Sequence, residues 1–246
     1  MLHNNDTTED ALLAGQVRLR QPARGYRVNL DTVLLAAALE IGAGARAMEA
    51  GCGVGGALLA AAWRCAEADF VGVEREPDYA ALARENATLN GFEARVSIVE
   101  GDALDRGLEI GVFDAVFFNP PFDLEGEGRA PDAARRAAHI ADAPLERWIA
   151  ALADRLKGGG VLSLIQRASR LDEILAAFEG RLGGVEILPL YPRAGEPAKR
   201  VLARARKGSR APLKLLGGHV LHDESGAKHR PEIEAVLRGE SGLAWR

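Results

Sequence analysis

The residues Asn119-Pro120-Pro121-Phe122 carry the most specific chemical information in this sequence. The Asn119 side-chain oxygen and the Pro120 carbonyl oxygen are two acceptors that can hold both N–H groups of a conjugated amine. Such a nitrogen is a poor nucleophile until it becomes pyramidal, and the two acceptors favour that geometry. The prolines fix the carbonyl because their φ is locked, and Phe122 offers a flat face for stacking. We therefore expect these four catalytic residues to act on a planar NH2 group.

A glycine-rich turn, Gly51 to Gly56, follows the acid Glu49. Glycine allows a sharp turn and lets backbone N–H groups approach a ligand closely. The turn formally fits the G-x-G-x-x-G fingerprint of dinucleotide-binding proteins. Glu49, however, would repel a pyrophosphate, whereas it can pair with a cationic amino group. This favours a nucleoside that carries an amino acid, namely S-adenosylmethionine, over a nicotinamide dinucleotide.

Two further acids follow at the ends of the next two predicted strands. Glu74 is placed to accept hydrogen bonds from both hydroxyl groups of a ribose, and Asp102 is placed to meet an adenine amine. The residues expected to bind the cofactor are Glu49, Gly51, Cys52, Gly53, Gly55, Glu74, Asp102, Ala103 and Asn119. The expected product of the cofactor is S-adenosylhomocysteine.

Strands and helices alternate around these motifs, which is typical of an α/β fold with a mostly parallel sheet and helices on both faces. Strands are predicted at Ala45–Glu49, Val71–Glu74, Arg95–Glu100, Phe113–Phe118, Val161–Gln166 and Val185–Tyr191. Helices are predicted at Asn29–Glu40, Ala57–Ala62, Pro77–Asn90, Leu145–Lys157 and Leu171–Leu182. Arg200–Arg206 and Leu213–Leu221 are predicted to be late, antiparallel strands at the sheet edge.

Charge is distributed unevenly along the 246 residues. Residues 1–192 carry 19 Lys/Arg against 29 Asp/Glu, a net charge of −10, whereas residues 193–246 carry 12 against 6, a net charge of +6. The whole-chain charge of −4 would not by itself indicate nucleic acid, but a basic segment suggests a surface that faces a polyanion. The alternative is a solvated face of a late hairpin. The residues expected to contact RNA phosphates are Arg200, Arg204, Arg206, Lys207 and Arg210.

Composition excludes several classes of protein. The chain has no run of about 18 uninterrupted apolar residues, so no membrane-spanning helix is predicted. The N-terminal MLHNNDTTED is polar and acidic, unlike a signal or transit peptide, which predicts a cytoplasmic protein. Cys52 and Cys65 are too few for a disulfide framework or a structural zinc site. The histidines show no metal-ligand spacing, so no metal is expected.

Together these motifs resemble those of the class I S-adenosylmethionine-dependent methyltransferases that methylate amino groups. The glycine turn, the two later acids and the NPPF loop span residues 45–165. The upstream segment Tyr26–Leu35 is similar to the segment before the first strand in the bacterial tRNA1(Val) adenine N6-methyltransferase family, within the small-domain superfamily. The resemblance implies a Rossmann-like, seven-stranded mixed sheet with the last strand pair reversed. It also implies that Asp31 lies near the methionine end of the cofactor and that the target adenine lies beside the tRNA anticodon.

The organisation expected from this resemblance is a single domain. Residues 1–44 are expected to form a helical segment that packs on the cofactor site, followed by the methyltransferase domain at residues 45–246. Relatives often have Ala-Arg-His-Glu where this chain has Ala137-Ala138-His139-Ile140. His139 is therefore either a substrate-side residue or a polar residue that starts a helix.

The expected function is N-methylation of an exocyclic amine of a nucleobase, with adenine N6 in tRNA as the leading target. Guanine N2 in ribosomal RNA and the N5 of a protein glutamine stay open, because each is a planar conjugated NH2 group that the same loop serves. A nicotinamide-dependent oxidoreductase is the alternative from a different class, and a non-catalytic RNA-binding relative ranks last. Monomer and dimer both stay open.

Overall fold

The computed structural model describes residues 7–24, 27–120, 143–223 and 228–246. Asn119 and Pro120 of the NPPF loop are among them. Pro121, Phe122 and His139, together with the roles predicted for them, lie outside the described residues.

The described ranges contain eleven strands and six α-helices. The strands are β1 (Thr7–Leu12), β2 (Val17–Pro22), β3 (Arg46–Ala50), β4 (Asp69–Glu74), β5 (Val96–Glu100), β6 (Phe113–Phe118), β7 (Leu156–Arg167), β8 (Leu182–Tyr191), β9 (Arg200–Lys207), β10 (Lys214–Leu215) and β11 (His219–Val220). The helices are α1 (Leu30–Ala37), α2 (Gly56–Arg64), α3 (Pro77–Leu89), α4 (Leu145–Asp154), α5 (Leu171–Phe178) and α6 (Pro231–Leu237).

The central sheet has the strand order β10-β8-β9-β7-β6-β3-β4-β5, and β11 also pairs with β8. Seven long strands form its body, and β10 and β11 add two residues each beside β8. Every pair in this sheet is parallel except the two that β9 makes with β7 and β8. The predicted α/β, Rossmann-like mixed sheet is therefore confirmed.

Three expectations about the last strands are wrong. Only β9 is reversed, rather than a pair of strands, and it lies inside the sheet because it forms ladders with both neighbours. Its buried side chains, Val201 to Ala203 and Ala205, meet apolar neighbours on both faces. Leu213–Leu221 contains β10 and β11, which pair with β8 in the parallel direction rather than antiparallel.

Two apolar clusters hold the layers together, one on each face of the sheet. On the first face, Leu34 of α1 and Leu58 of α2 pack with Ile165 of β7. On the second face, Ile149 of α4 and Ile174 of α5 pack with strand residues. Because side chains alternate along a strand, β6 and β7 contribute to both clusters. The helices on both faces thereby fix the strand ends that carry the site.

The chain before the central sheet is only partly helical, in contrast to the prediction for residues 1–44. Residues 7–22 form the antiparallel hairpin β1–β2, in which Val17, Leu19 and Gln21 are buried. This period of two buries one face of β2 and favours a strand over a helix. The helical part is α1, where the Asn29 side chain accepts a hydrogen bond from the Thr32 N–H.

Helix α4 ends earlier than predicted. Leu156 is already paired with Phe113 in the sheet, and the Phe113 N–H donates to the Arg155 carbonyl at 2.8 Å. The chain therefore leaves the helix after Asp154, and the three glycines at 158–160 lie within β7. No helix of the described ranges is both long and apolar enough to cross a membrane.

Candidate active site

The glycine turn connects β3 to α2 at the carboxyl edge of the sheet. Gly51 has φ +67° and Gly53 has φ +55°, conformations that L side chains rarely adopt. The backbone N–H groups of Gly51 and Cys52 both donate to the Val73 carbonyl, at 2.8 and 3.0 Å. A side chain on Gly53 would meet no atom within 4 Å. The turn is therefore held by backbone bonds and leaves open space above its middle glycine.

Glu74 holds this turn from the end of β4. Its Oε2 accepts a hydrogen bond from the Gly53 N–H at 2.8 Å, and its Oε1 accepts one from the Glu76 N–H at 2.9 Å. Each carboxylate oxygen has a further lone pair that can accept another hydrogen bond. The residue is 7% exposed, so its carboxylate is held in one orientation with acceptor capacity to spare.

Glu49 is a buried carboxyl group beside the turn. Within the described ranges its Oε2 has no hydrogen-bond partner. Burial raises the pKa of Glu49 well above its ordinary value, the nearby Glu74 carboxylate adds to the rise, and the Leu58 backbone hydrogen bond opposes it. A buried carboxylate oxygen without a partner is costly. The site is thus suited to a ligand cation that would pair with it.

Asn119 and Pro120 continue directly from β6, the neighbour of β3 in the sheet. Glu49 lies opposite Phe117 in the register of these two strands. Asn119 therefore lies just beyond the level of the buried carboxyl group, and Pro120 is buried. The structure brings the start of the predicted catalytic loop to the same edge as the glycine turn.

Trp148 of α4 supports both features, and the sequence prediction missed it. Its ring stacks on that of Phe118, with centroids 5.8 Å apart and planes 11° apart. Its Cη2 atom lies 3.9 Å from the position that a Cβ atom on Gly51 would occupy. A tryptophan in the first turn of an amphipathic helix that follows the loop was the available signal.

Asp102 and Ala103 lie beyond the end of β5, next to β4. The Gly101 N–H donates to the Glu74 carbonyl at 2.9 Å, which joins the two strand ends. Asp102 is exposed, and its Oδ1 accepts a hydrogen bond from the Leu104 N–H at 2.8 Å. Ala103 is buried. Both residues are thus brought to the edge that carries Glu74.

Asp31 and Arg200 were expected to serve different ligands, but the structure pairs them with each other. The Arg200 Nε donates to the Asp31 Oδ2 at 2.9 Å, and the Asp31 side chain is 11% exposed. Helix α1 itself lies against the glycine turn, because a Cβ atom on Gly56 would come within 2.5 Å of Val28 and 3.2 Å of Thr32. The ion pair therefore ties this helix to β9 beside the site.

Cys52 is buried in the turn. Burial raises the pKa of its thiol well above the ordinary value, and the Glu49 and Glu74 carboxylates add to the rise. The thiol therefore stays protonated near neutral pH and is a poor nucleophile. Among the described residues, no group of three or more His, Cys, Asp or Glu side chains has the arrangement of a metal site.

The five basic residues predicted to contact RNA do not lie together. Arg200 is opposite Arg167, at the carboxyl end of β7 and thus at the edge that carries the site, whereas Arg206 is opposite Val161. Six residues of a strand span about 20 Å. Because β9 is antiparallel to its neighbours, Arg206, Lys207 and the following Arg210 lie towards the opposite edge of the sheet.

Besides Arg200, three of these basic residues form bonds within the chain. Arg204 pairs with Glu186 at 2.6 Å and with Glu40 at 2.8 Å, and its guanidinium lies 4.2 Å from the centre of the Trp245 ring. Arg206 donates to the Gly159 carbonyl at 2.6 Å. Lys207 donates to two backbone carbonyls that end α4 and begin β7. These bonds give the three side chains a structural role.

Asn86 is a second residue that the sequence prediction missed. Its Oδ1 accepts from the Arg20 N–H at 2.7 Å, and its Nδ2 donates to the carbonyls of Arg20 and Val54 at 2.8 and 2.9 Å. Asn90, one helical turn later, makes the same pair of bonds to Arg18. The two side-chain amides bond the backbone of β2 as a neighbouring strand would. Asn86 also bonds the Val54 carbonyl in the glycine turn.

Comparison with known proteins supports the assignment that this geometry suggests. A methyltransferase domain family matches residues 41–169, just over half of the chain. The tRNA1(Val) (adenine(37)-N6)-methyltransferase of Porphyromonas gingivalis strain W83 is 34% identical over 206 residues, which cover 80% of each chain. The protein of the same name from Aeromonas hydrophila is 28% identical over 184 residues, 74% of this chain and 77% of that one.

Solved structures show the same fold. A predicted O-methyltransferase from Agrobacterium tumefaciens superposes with a TM-score of 0.74 at 31% identity, covering 87% of this chain and 98% of that one. The 16S rRNA N2 G1207 methyltransferase of T. thermophilus, in complex with AdoMet and guanosine, gives a TM-score of 0.60 at 19% identity, covering 82% and 50% of the two chains. At that lower identity the likeness concerns the fold alone. The chain is an S-adenosylmethionine-dependent methyltransferase and belongs to the family of the tRNA1(Val) (adenine(37)-N6)-methyltransferases.

Proposed function

We propose that this protein transfers the methyl group of S-adenosylmethionine to N6 of an adenine in tRNA, with adenine 37 of tRNA1(Val) as the leading target. One observation carries the proposal. Asn119 and Pro120 leave β6 beside a buried Glu49 carboxyl group whose Oε2 has no partner among the described residues. An acceptor pair for an amine and a receptor for a cationic cofactor thereby share one edge of the sheet.

The residues around the glycine turn fit this cofactor. Glu49 would receive its amino group, and Glu74 would accept hydrogen bonds from its ribose hydroxyls with the lone pairs that Gly53 and Glu76 leave free. Asp102 and Ala103 would border its adenine, while Gly51, Cys52, Gly53 and Gly55 would provide the turn that it crosses. Asp31 would lie at the methionine end, held by Arg200. When bound, the cofactor supplies a methyl group on a positively charged sulfur.

The catalytic loop prepares the target nitrogen. The Asn119 side-chain oxygen and the Pro120 carbonyl accept hydrogen bonds from the two N–H groups of the amine. The lone pair of the nitrogen is thereby directed out of the ring plane and toward the methyl group. Phe122 would stack on the base, and Pro121 would hold the loop. The target nitrogen loses its proton only after it has gained the methyl group, when that proton is acidic and passes to solvent. The chemistry therefore requires no strong general base.

The competing targets have less support. Relatives that cover four fifths of the chain are named for adenine in tRNA, whereas the structure named for guanine N2 shares only the fold. No relative above is named for a protein glutamine or for nicotinamide chemistry, and Glu49 disfavours a pyrophosphate. A tRNA substrate also favours a location in the cytoplasm.

The function is tested by nucleoside mass spectrometry. Purified protein, S-adenosylmethionine and tRNA from a strain that lacks this protein are expected to yield N6-methyladenosine, confined to a single tRNA species. Formation of N2-methylguanosine, or methylation of protein alone under the same conditions, would contradict the proposal.

Replacing Glu49 by glutamine is expected to raise the melting temperature of the cofactor-free protein at pH 8, and to raise it less at pH 5. The folded-state pKa of Glu49 lies above the ordinary value near 4.5, so the wild-type stability contribution is present at low pH and is lost as the pH rises through the folded-state pKa. Each kcal/mol of unfolding free energy that the variant regains raises the melting temperature by about 2–4 °C for a chain of this size. Differential scanning fluorimetry across pH measures the difference, and a pH-independent one would contradict this account.

The same variant tests the cofactor contact. Glu49→Gln is expected to weaken binding of S-adenosylhomocysteine, which carries the amino group, while leaving the affinity for 5′-methylthioadenosine, which lacks it, unchanged. Equal losses for both ligands would remove Glu49 from the amino-group site.

Charge reversal at Lys199 is expected to raise the KM for tRNA by severalfold and to reduce the salt dependence of binding by about one unit of slope. Lys199 is exposed, and its backbone bonds Leu190 and Ala168, which hold it at the carboxyl edge with the site. Arg210→Glu is the matched control, because Arg210 is exposed towards the opposite edge. An equal effect of both reversals would show that the RNA does not lie along the carboxyl edge.

A further inference from the structure

Gln166 is a buried polar side chain that the reaction described above does not use. It is the penultimate residue of β7 and is 0% exposed. Its Oε1 accepts a hydrogen bond from the Arg167 N–H at 2.8 Å. Its Nε2 has no acceptor within the parts of the chain that the structure describes. Buried polar groups are nearly always hydrogen-bonded, so this donor requires an acceptor from elsewhere.

The register of the sheet places this donor beside the catalytic loop. Phe118 of β6 lies opposite Leu164 of β7, and both belong to the same apolar cluster. Two residues further along each strand, Gln166 is level with Pro120 and on the same face of the sheet. Neighbouring strands are about 4.8 Å apart. An amide donor that has no acceptor among the described residues thus lies next to Pro120, whose carbonyl is to hold the target amine.

The chemistry of adenine supplies the missing acceptor. The N6 amine is flanked by N1 and N7, both of which accept hydrogen bonds. In guanine, the N2 amine is flanked by N3, an acceptor, and by N1, which carries a hydrogen and would oppose a donor. Adenine therefore satisfies a donor on either side of its amine, whereas guanine satisfies it only when N3, and not N1, faces the donor.

We propose that Gln166 is a specificity-determining residue that donates an Nε2–H hydrogen bond to N1 or N7 of the target adenine. The inference rests on the proposed function. The bond orients the base about the axis through its amine, so that the two N–H groups meet Asn119 and Pro120. Bases that present a ring N–H at that place leave the buried donor facing another donor and are rejected.

The test compares Gln166→Met with the wild type on three tRNA1(Val) transcripts that carry adenosine, 1-deazaadenosine or 7-deazaadenosine at position 37. Methionine keeps the volume of the side chain and removes the donor. The variant is expected to lower kcat/KM about tenfold on adenosine, but less than threefold on the one analogue that lacks the nitrogen bound by Gln166. On the other analogue the tenfold loss is expected to persist, which identifies that nitrogen.

Two more variants separate this role from a structural one. Gln166→Glu keeps the acceptor for the Arg167 N–H. It is expected to show the same pattern of losses at a pH where its carboxyl group is ionised, because only the protonated form can donate a hydrogen bond. Ser163→Ala, a buried polar change on the same strand but on the other face, is expected to leave the ratios among the three RNAs unchanged. Gln166→Met also removes the acceptor of the Arg167 N–H, so its melting temperature is expected to fall slightly. A purely structural loss of this kind would lower kcat/KM equally on all three RNAs.

Equal losses on all three RNAs, or no loss on adenosine, would overturn the role of Gln166 while the methyltransferase activity stands. A wild-type protein that methylates no adenosine in this RNA would overturn the proposed function and this inference together.

Discussion

Asn119→Ala is expected to lower kcat by at least tenfold, with little change in the affinity for S-adenosylhomocysteine. The side-chain oxygen holds the reacting amine, and a hydrogen bond that is strengthened as positive charge develops on that nitrogen contributes about 1.5–3 kcal/mol. This corresponds to about 10–150-fold in rate. Single-turnover methylation of tRNA with saturating cofactor measures the chemical step, and isothermal titration calorimetry measures cofactor binding.

Asn119→Asp provides the matched comparison, because it retains an acceptor oxygen at the same position. It is expected to keep more activity than Asn119→Ala. A normal rate for the alanine variant would exclude Asn119 from holding the amine, and a parallel loss of cofactor affinity would assign it to the cofactor site instead.

Glu74→Ala is expected to weaken the binding of S-adenosylhomocysteine by about 10–150-fold. Hydrogen bonds to a charged group contribute about 1.5–3 kcal/mol, and this carboxylate also anchors the turn through the Gly53 and Glu76 N–H groups. The dissociation constant is measured by calorimetry. At saturating cofactor, kcat is expected to recover to within a few fold, because Glu74 does not contact the target amine.

Glu76→Ala is the control for this variant. Glu76 is also an acid in the same stretch, but its side chain is half-exposed and pairs only with the neighbouring Arg75 among the described residues. It is expected to leave the dissociation constant within about twofold. A wild-type dissociation constant for Glu74→Ala would remove this residue from the ribose site.

The sequence was sufficient to predict the body of the fold because its signals are local. Asn-Pro-Pro must leave a sheet, Pro77 starts a helix, and glycines close the turns, so strand and helix bounds agree within a few residues for β3 to β6 and for α2 and α3. The antiparallel direction of β9 was predicted correctly, but the direction of β10 and β11 was predicted wrongly. Periodicity indicates which face of a strand is buried. The pairing direction depends instead on the path of the connection between strands, which no short sequence pattern encodes.

The hairpin at residues 7–22 shows a different limit. Its buried positions, Val17, Leu19 and Gln21, alternate as in a strand, and this signal was available but short. The partner that completes the edge of β2 is not a strand but the pair Asn86 and Asn90 on α3. Such side-chain pairing across about 70 residues of sequence is invisible to a pattern analysis.

The candidate site was predictable where chemistry depends on residue type and order. Glu49 and Glu74 lie at the carboxyl ends of their strands, and parallel strands bring these ends to one edge of the sheet. Basic residues were harder to interpret, because composition counts charges without their partners. Arg204 lies between two carboxylates and an aromatic ring, and Asp31 takes up Arg200. The basic segment after residue 192 thus contains arginines that form ion pairs within the fold.

Asn86 gives the N-terminal hairpin a thermodynamic connection to the cofactor turn. Its carboxamide bonds the Arg20 backbone through both its oxygen and its nitrogen, and the same nitrogen donates to the Val54 carbonyl. If the hairpin opens and Asn86 moves, the Val54 carbonyl of the turn loses a hydrogen bond. If the turn loosens, Asn86 loses a contact that holds it in place to bond the hairpin. The two elements share part of a single opening free energy and belong to one cooperative unit. A ligand that stabilises the closed turn would then protect a strand that it never touches.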